Sequence, residues 1–225
     1  MLDRGEETLR RKTPWGRDRR AAAVSRERQG MATLRDSYVS PQEYLALERT
    51  ADFKSEYVDG IIYQMSGASI PHNLIAANLL GSLWTPLRDG SCRVFGSDLK
   101  IRTPNGKRYF YPDLSVICGP PQIADDKKDV VLNPKLIIEV LSESTAGYDR
   151  GTKFLAYQAI PSLEEYVLVW QDRFLVESYR RQGQEAWLYT KAEGQQATLE
   201  LPSIGVSVSL AEIYRNAEVN AESGL

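Results

Sequence analysis

Hydrophobic and polar positions along this chain change period several times, and each change marks an element. Residues 135–142 read Lys-Leu-Ile-Ile-Glu-Val-Leu-Ser, an almost continuous apolar run of strand length, as expected of a strand covered on both faces. Upstream, Ser40-Pro41-Gln42-Glu43 forms a capping box with proline at the first helical position, which predicts a short helix through Tyr44, Leu45 and Leu47. Residues 56–63 hold Asp59-Gly60 between β-branched and aromatic positions. They predict a hairpin with a type I′ turn and put Glu56 on a strand beside it. From Pro71 to about Trp84, the positions Leu74, Ile75, Asn78, Leu79 and Leu83 recur at helical spacing and predict a core-packing helix. Residues 93–101 and 109–117 then predict the two strands of a second hairpin around Pro104-Asn105-Gly106. Pro112 has no N–H for a ladder, so it implies a bulge or an edge that aims the next side chain, Asp113.

Beyond the apolar run, Ser142-Glu143-Ser144-Thr145 reads as a loop and residues 149–160 as a helix ended by Pro161, with Phe154, Leu155 and Ile160 turned inward. Residues 166–170, 174–179 and 186–189 alternate like antiparallel strands, another strand falls near 197–201, and residues 210–214 close the chain as a helix. These elements mix helices and strands, as in an α/β (α+β) protein, with extra antiparallel strands toward the C-terminus. A chain of 225 residues is enough for one domain with a covered core, placed at residues 36–219.

Composition adds constraints. The hydrophobic fraction of 42% and charged fraction of 26% are those of a soluble protein, and no apolar run approaches the roughly 18 residues of a membrane helix. Cys92 and Cys118 match neither a disulfide framework nor a CxxC metal site, which fits a reducing cytoplasm. Residues 1–35 read as a disordered tail crowded with arginine, and 220–225 as a flexible end. The tail is either a basic arm that touches nucleic acid or the product of a start placed too early, with Met31 the true beginning; the second reading is favoured. No apolar stretch follows its positive charges, so it is not a secretory signal. Without the first thirty residues the chain carries nineteen basic against twenty-five acidic residues. A bound polyanion must then meet a local basic groove or metal ions rather than a global positive charge.

Glu139, in the middle of the apolar run, is the first candidate for chemistry. An unpaired ionised acid in an apolar interior is costly, so one that persists is paired, hydrogen-bonded or bound to a cation; the competing reading is an acid at a solvated strand end or bridged to a buried base. Asp113 follows Pro112 at a break in the preceding strand. If the two strands are neighbours, both carboxylates converge at one end of the sheet, as a hard cation such as Mg²⁺ or Mn²⁺ requires, and the Val140 carbonyl adds an oxygen. Lys153 is the complement, able to orient a water or stabilise charge on a phosphate. It shares a helix face with Asp149 and Tyr157, a stripe that would otherwise be a solvated salt-bridge face.

These motifs in this order, Tyr111-Pro112-Asp113-Leu114-Ser115-Val116, then 138–145 as Ile-Glu-Val-Leu-Ser-Glu-Ser-Thr, then Asp149-x3-Lys153-x3-Tyr157 and Glu165-Tyr166, resemble the Uma2 family of proposed endonucleases. The resemblance runs from about Pro41 to Tyr214. It implies the restriction-endonuclease-like fold, a central mixed sheet flanked by helices, and the PD-(D/E)xK nuclease signature, with Asp113 and Glu139 holding Mg²⁺ or Mn²⁺, Lys153 acting on the attacking water, and DNA as the expected substrate; because cutting both strands of a duplex needs two sites, a homodimer is expected with it. Where the signature places a lysine, this chain has Leu141; the resemblance implies that Lys153, from the following helix, reaches the same place. Glu56, ahead of Val58-Asp59-Gly60, matches the family's early acid and would be a further metal or water ligand, its alternative being a surface acid beside a turn.

His72, the single histidine, leaves little from which to build a zinc site or a Ser-His-Asp arrangement. It either touches a phosphate at the start of its helix or is a helix-end residue with a satisfied hydrogen bond. No glycine-rich phosphate loop is present, so no nucleotide cofactor is expected. The competing class is a catalytically silent module of the same fold that binds DNA or a protein partner; Leu141 and the acidic balance argue for it.

Overall fold

The computed structural model describes residues 33–34 and 37–219, so the tail read at residues 1–35, apart from 33–34, and the flexible end at 220–225 lie outside the described residues. Three apolar cores organise the fold. The central sheet has six strands in the order β11-β10-β9-β8-β6-β3. Its middle is β8 (Leu136–Leu141) beside β6 (Leu114–Cys118), antiparallel, and β9 (Glu165–Trp170), parallel. The outer strands are β3 (Cys92–Gly96), β10 (Leu175–Gln182) and β11 (Ala186–Glu193), all antiparallel to their neighbours.

The period-two alternation of β8 decides what each face buries. Leu136, Ile138 and Val140 join the core under the long helix α2 (Ile70–Leu87). Ile137 and Leu141 join the core under the helical segment after β8, and Glu139 shares their parity. Burying an aliphatic side chain contributes roughly 1.5–3 kcal/mol. The five apolar residues of a fully buried strand can therefore hold one carboxylate whose desolvation costs several kcal/mol.

The first helix, α1 (Pro41–Glu48), begins as expected, with Ser40 Oγ accepting from Glu43 N and the Glu43 carboxylate accepting from Ser40 N. Order starts before it. Thr33 bridges Tyr63, and Leu34 N donates to Ile62 O at 3.0 Å, so this short piece of the supposed tail completes the edge of a strand. The hairpin of β1 (Ser55–Val58) and β2 (Ile61–Gln64) turns at Asp59 (φ 51°) and Gly60 (φ 99°), as a type I′ turn requires. A Cβ at Gly60 would also fall 2.2 Å from Tyr38 Cδ2. Gly60→Ala should cost about 1 kcal/mol or more, read as a lower urea midpoint at unchanged slope; an unshifted midpoint would show that the turn relaxes freely.

The second hairpin is corrected: it is bent across two sheets. Its lower half is β3 paired with β6, and its upper half is β4 (Lys100–Arg102) paired with β5 (Arg108–Phe110) in a five-stranded sheet of order β2-β1-β5-β4-β7. The break falls at Tyr111-Pro112-Asp113 on one arm and at Ser97-Asp98-Leu99 on the other, where proline offers no N–H to continue a ladder. The short strand β7 (Val130–Val131) runs parallel to β4. At the far end of β6, Cys118 stands opposite Cys92 with 3.9 Å between Cα atoms, and the two form a disulfide. This overturns the reading of unpaired cysteines, because the antiparallel register joins residues 26 apart in sequence.

The segment after β8 is one helical run in three parts: α3 (Ala146–Tyr148), a π-helical turn (Asp149–Lys153) and α4 (Phe154–Gln158). The wide turn shifts the register that a pure α-helix would keep. Ala156, Tyr157 and Ile160 face the core, and Leu155, expected inside, is 67% exposed. A final hairpin, β12 (Thr198–Leu201) with β13 (Val206–Ser209), and α5 (Leu210–Ile213) close the core beneath α2. No helix among the described residues is long and apolar enough to cross a membrane.

Candidate active site

Asp113 is carried by the break between the two sheets. The β6–β8 ladder pairs Leu114 with Ile138, so Asp113 comes one step beyond it, level with Glu139. Its Oδ2 accepts from the Val140 amide at 2.7 Å, and its Oδ1 lies 2.8 Å from His72 Nε2. The sequence pointed to the Val140 carbonyl; the Val140 group that engages the site here is the N–H. His72 enters at the start of α2, where Ser69 caps its backbone.

Lys153 sits at the centre of the remaining acids. Its Nζ lies 3.0 Å from Glu56 Oε1, 3.2 Å from Glu139 Oε1 and 3.3 Å from Asp149 Oδ1. Tyr157 adds a hydroxyl to Glu139 Oε1 at 3.1 Å. Lys153, Asp149, Glu139 and Glu56 are all buried, at 7%, 4%, 3% and 1% exposure, so the Asp149-x3-Lys153-x3-Tyr157 stripe is not a solvated face. The π-helical turn runs from Asp149 to Lys153, and such turns occur disproportionately at functional sites. Asp113, Glu139, Glu56 and Lys153 thus line one cleft, together with Asp149 and His72.

Electrostatics give each group a protonation preference. Burial pushes the Glu139 carboxyl well above the ordinary carboxylate value; Lys153 opposes the shift, while Asp149, Asp113 and Glu56 reinforce it. Burial likewise raises Glu56 against the pull of Lys153. Burial works against the Lys153 ammonium, but Glu139, Glu56 and Asp149 outweigh it and hold the amine well above the ordinary lysine range. Lys153 is therefore a permanent donor and not a base. Both carboxyls therefore hold a proton more readily than a solvated acid does.

Four carboxylates line the cleft and one lysine touches three of them, while Glu56 Oε2 is buried with no hydrogen-bond partner among the described residues. Oxygen donors with uncompensated charge fit a hard divalent cation. The cage is not preformed, since among the described residues no three His, Cys, Asp or Glu side chains are arranged to hold a metal. Sequence reasoning left Asp149 and His72 outside the site. A lone histidine and an i,i+4 acid–lysine pair look the same on a solvated helix; only the fold that covers them tells the two cases apart.

The Uma2 family model, described as "Putative restriction endonuclease", matches residues 41–211. Two uncharacterized proteins of Synechocystis are similar along most of their length. Sll1609 is 38% identical over 170 residues, covering 76% of this chain and 96% of the relative. Slr1290 is 39% identical over 179 residues, covering 79% and 92%. A crystal structure from Anabaena variabilis, described as a putative nuclease belonging to DUF820, superposes with a TM-score of 0.65 at 19% identity over 78% of this chain and 97% of that one. The likeness in architecture shows the restriction-endonuclease-like fold, a mixed sheet flanked by helices. The match over residues 41–211 and the two Synechocystis relatives show that this chain belongs to the Uma2 family.

Proposed function

We propose that this protein is a metal-dependent endonuclease that hydrolyses phosphodiester bonds of nucleic acid, with DNA as the substrate. The observation that carries the reading is the buried ammonium of Lys153 among Glu56, Glu139 and Asp149, in a cleft shared with Asp113. Asp113 and Glu139, with Glu56 and the Val140 carbonyl, are the groups that would hold Mg²⁺ or Mn²⁺. When bound, the ion would polarise a phosphoryl oxygen and offset the charge of the acids. Lys153 donates to the attacking water or to a phosphoryl oxygen and keeps its proton. Glu56, whose Oε2 has no hydrogen-bond partner among the described residues, accepts the proton the water gives up. With this substrate go a homodimer, one site for each strand of a duplex, and a cytoplasmic location, a compartment where a disulfide such as Cys92–Cys118 is uncommon.

Two observations favour a second reading, a silent module of the same fold that binds DNA or a protein partner: Lys153 already neutralises part of the cluster, and no metal cage is preformed among the described residues. A cleavage assay separates the two. Purified protein should convert supercoiled plasmid to nicked and linear forms, or degrade single-stranded DNA, with Mg²⁺ or Mn²⁺ and not in EDTA. Cleavage that persists in EDTA would refute metal dependence; no cleavage under any condition would leave the silent module.

A further inference from the structure

One group in the cleft has no place in that scheme. Tyr148 is the last residue of α3, directly before the π-helical turn that carries Asp149 and Lys153, and it lines the same cleft. Its hydroxyl oxygen is buried and has no hydrogen-bond partner among the described residues. Its ring centroid is 5.9 Å from Lys153 Nζ. A buried hydroxyl left unsatisfied is destabilising, so such a group inside a functional cleft calls for a ligand.

The other hydroxyls that line the cleft are committed or wet. Ser69 Oγ donates to Gln171 Oε1 at 2.7 Å, and Tyr111 Oη donates to Glu48 at 2.9 Å. Ser142, Ser144 and Thr145 bond one another, and Ser66 is exposed to solvent. That leaves Tyr148 as the uncommitted buried hydroxyl on a wall otherwise rich in carboxylates. A phosphodiester entering there is repelled by the acids and gains from every neutral donor. Burial, and after it the neighbouring Glu56, push the Tyr148 hydroxyl up, so it stays protonated and able to donate.

We infer that Tyr148 is a substrate-contacting residue, donating its phenolic hydrogen to a non-bridging oxygen of the phosphodiester in the cleft. The inference rests on the nuclease reading for its substrate and adds a residue to that site. Because Tyr148 and Lys153 lie on one helical run, the phenol and the ammonium form two donors fixed relative to each other, one neutral and one charged.

Tyr148→Phe removes the hydroxyl alone and keeps the ring. Its melting temperature should hold or rise, since no unsatisfied hydroxyl is buried any longer. Its kcat should fall on the order of 10²-fold, as when one preorganised donor to a developing charge is lost. Affinity for a short fluorescent duplex, measured by anisotropy in EDTA so that nothing is cut, should weaken about tenfold. If the parent binds but does not cleave, that loss of affinity alone upholds the contact while the nuclease reading fails. Unchanged kcat together with unchanged affinity overturns the inference. So does a variant that is merely less stable with both quantities intact, or a parent that neither cuts nor binds.

Discussion

Lys153→Met should abolish cleavage and lower the stability of the protein by about 3–5 kcal/mol, the cost of stripping a buried charge cluster of its partner. The side chain is 7% exposed and touches three carboxylates within 3.3 Å. Methionine fills a similar volume, so the loss reports charge rather than a cavity. The sign of the pH dependence gives a second readout. In the parent, the raised Lys153 amine contributes stability that is fully present below the ordinary lysine value near 10.4 and is lost only as pH rises through its higher folded value. In the variant, Glu139 and Glu56 keep the upward push of burial and lose the cation that opposed it. These carboxyls are raised in the parent already, so the variant's stability should climb more steeply than the parent's as pH falls toward the ordinary carboxylate value near 4.3. Urea unfolding of both proteins at mildly acidic and mildly alkaline pH tests this. A variant matching the parent at alkaline pH would mean that the cluster is not held by its lysine.

Asp113→Asn should reduce kcat by roughly 10³-fold, at the upper end of what one electrostatic group at a reacting centre supplies, with little effect on the metal-free fold. Asparagine keeps an oxygen for the Val140 N–H and a polar atom toward His72, the two contacts Asp113 makes. What it loses is charge. Metal that binds only the native state stabilises by about 2.7 kcal/mol at a hundred times its dissociation constant, so the parent's melting temperature should rise with Mn²⁺ and the variant's should not. Equal rises in both proteins would remove Asp113 from the ligand set. No rise in the parent, with no cleavage, would favour the silent module.

The sequence made the centre of this site readable because chemistry there breaks local rules. A carboxylate in an apolar run pointed to Glu139, and a proline ahead of an acid pointed to Asp113; both sit in the cleft. The capping box of α1 and the Asp59-Gly60 turn are equally local, and both formed where they were expected. What escaped was decided at a distance. The two arms of the second hairpin change sheets, one at Pro112 and the other at Ser97-Asp98-Leu99, which depends on strands far along the chain. The π-helical turn leaves no mark in the periodicity of its segment, where Leu155 reads as inward and is exposed. The strands β7 and β13, two and four residues long, are too short to show a period. Two cysteines 26 residues apart gave no sign of the register that joins them.

That sulfur bridge has a consequence for how the site comes apart. Cys92 and Cys118 close a covalent ring that contains the whole bent hairpin, including Asp113 and the tip at Pro104-Asn105-Gly106. A protease that nicks the tip leaves one piece carrying Glu56 and His72 and another carrying Asp113, Glu139 and Lys153. The bridge keeps the two pieces one molecule, their strands still in register. Cutting the backbone there therefore does not dismantle the site; the halves part only when the chain is nicked and the bridge is also reduced.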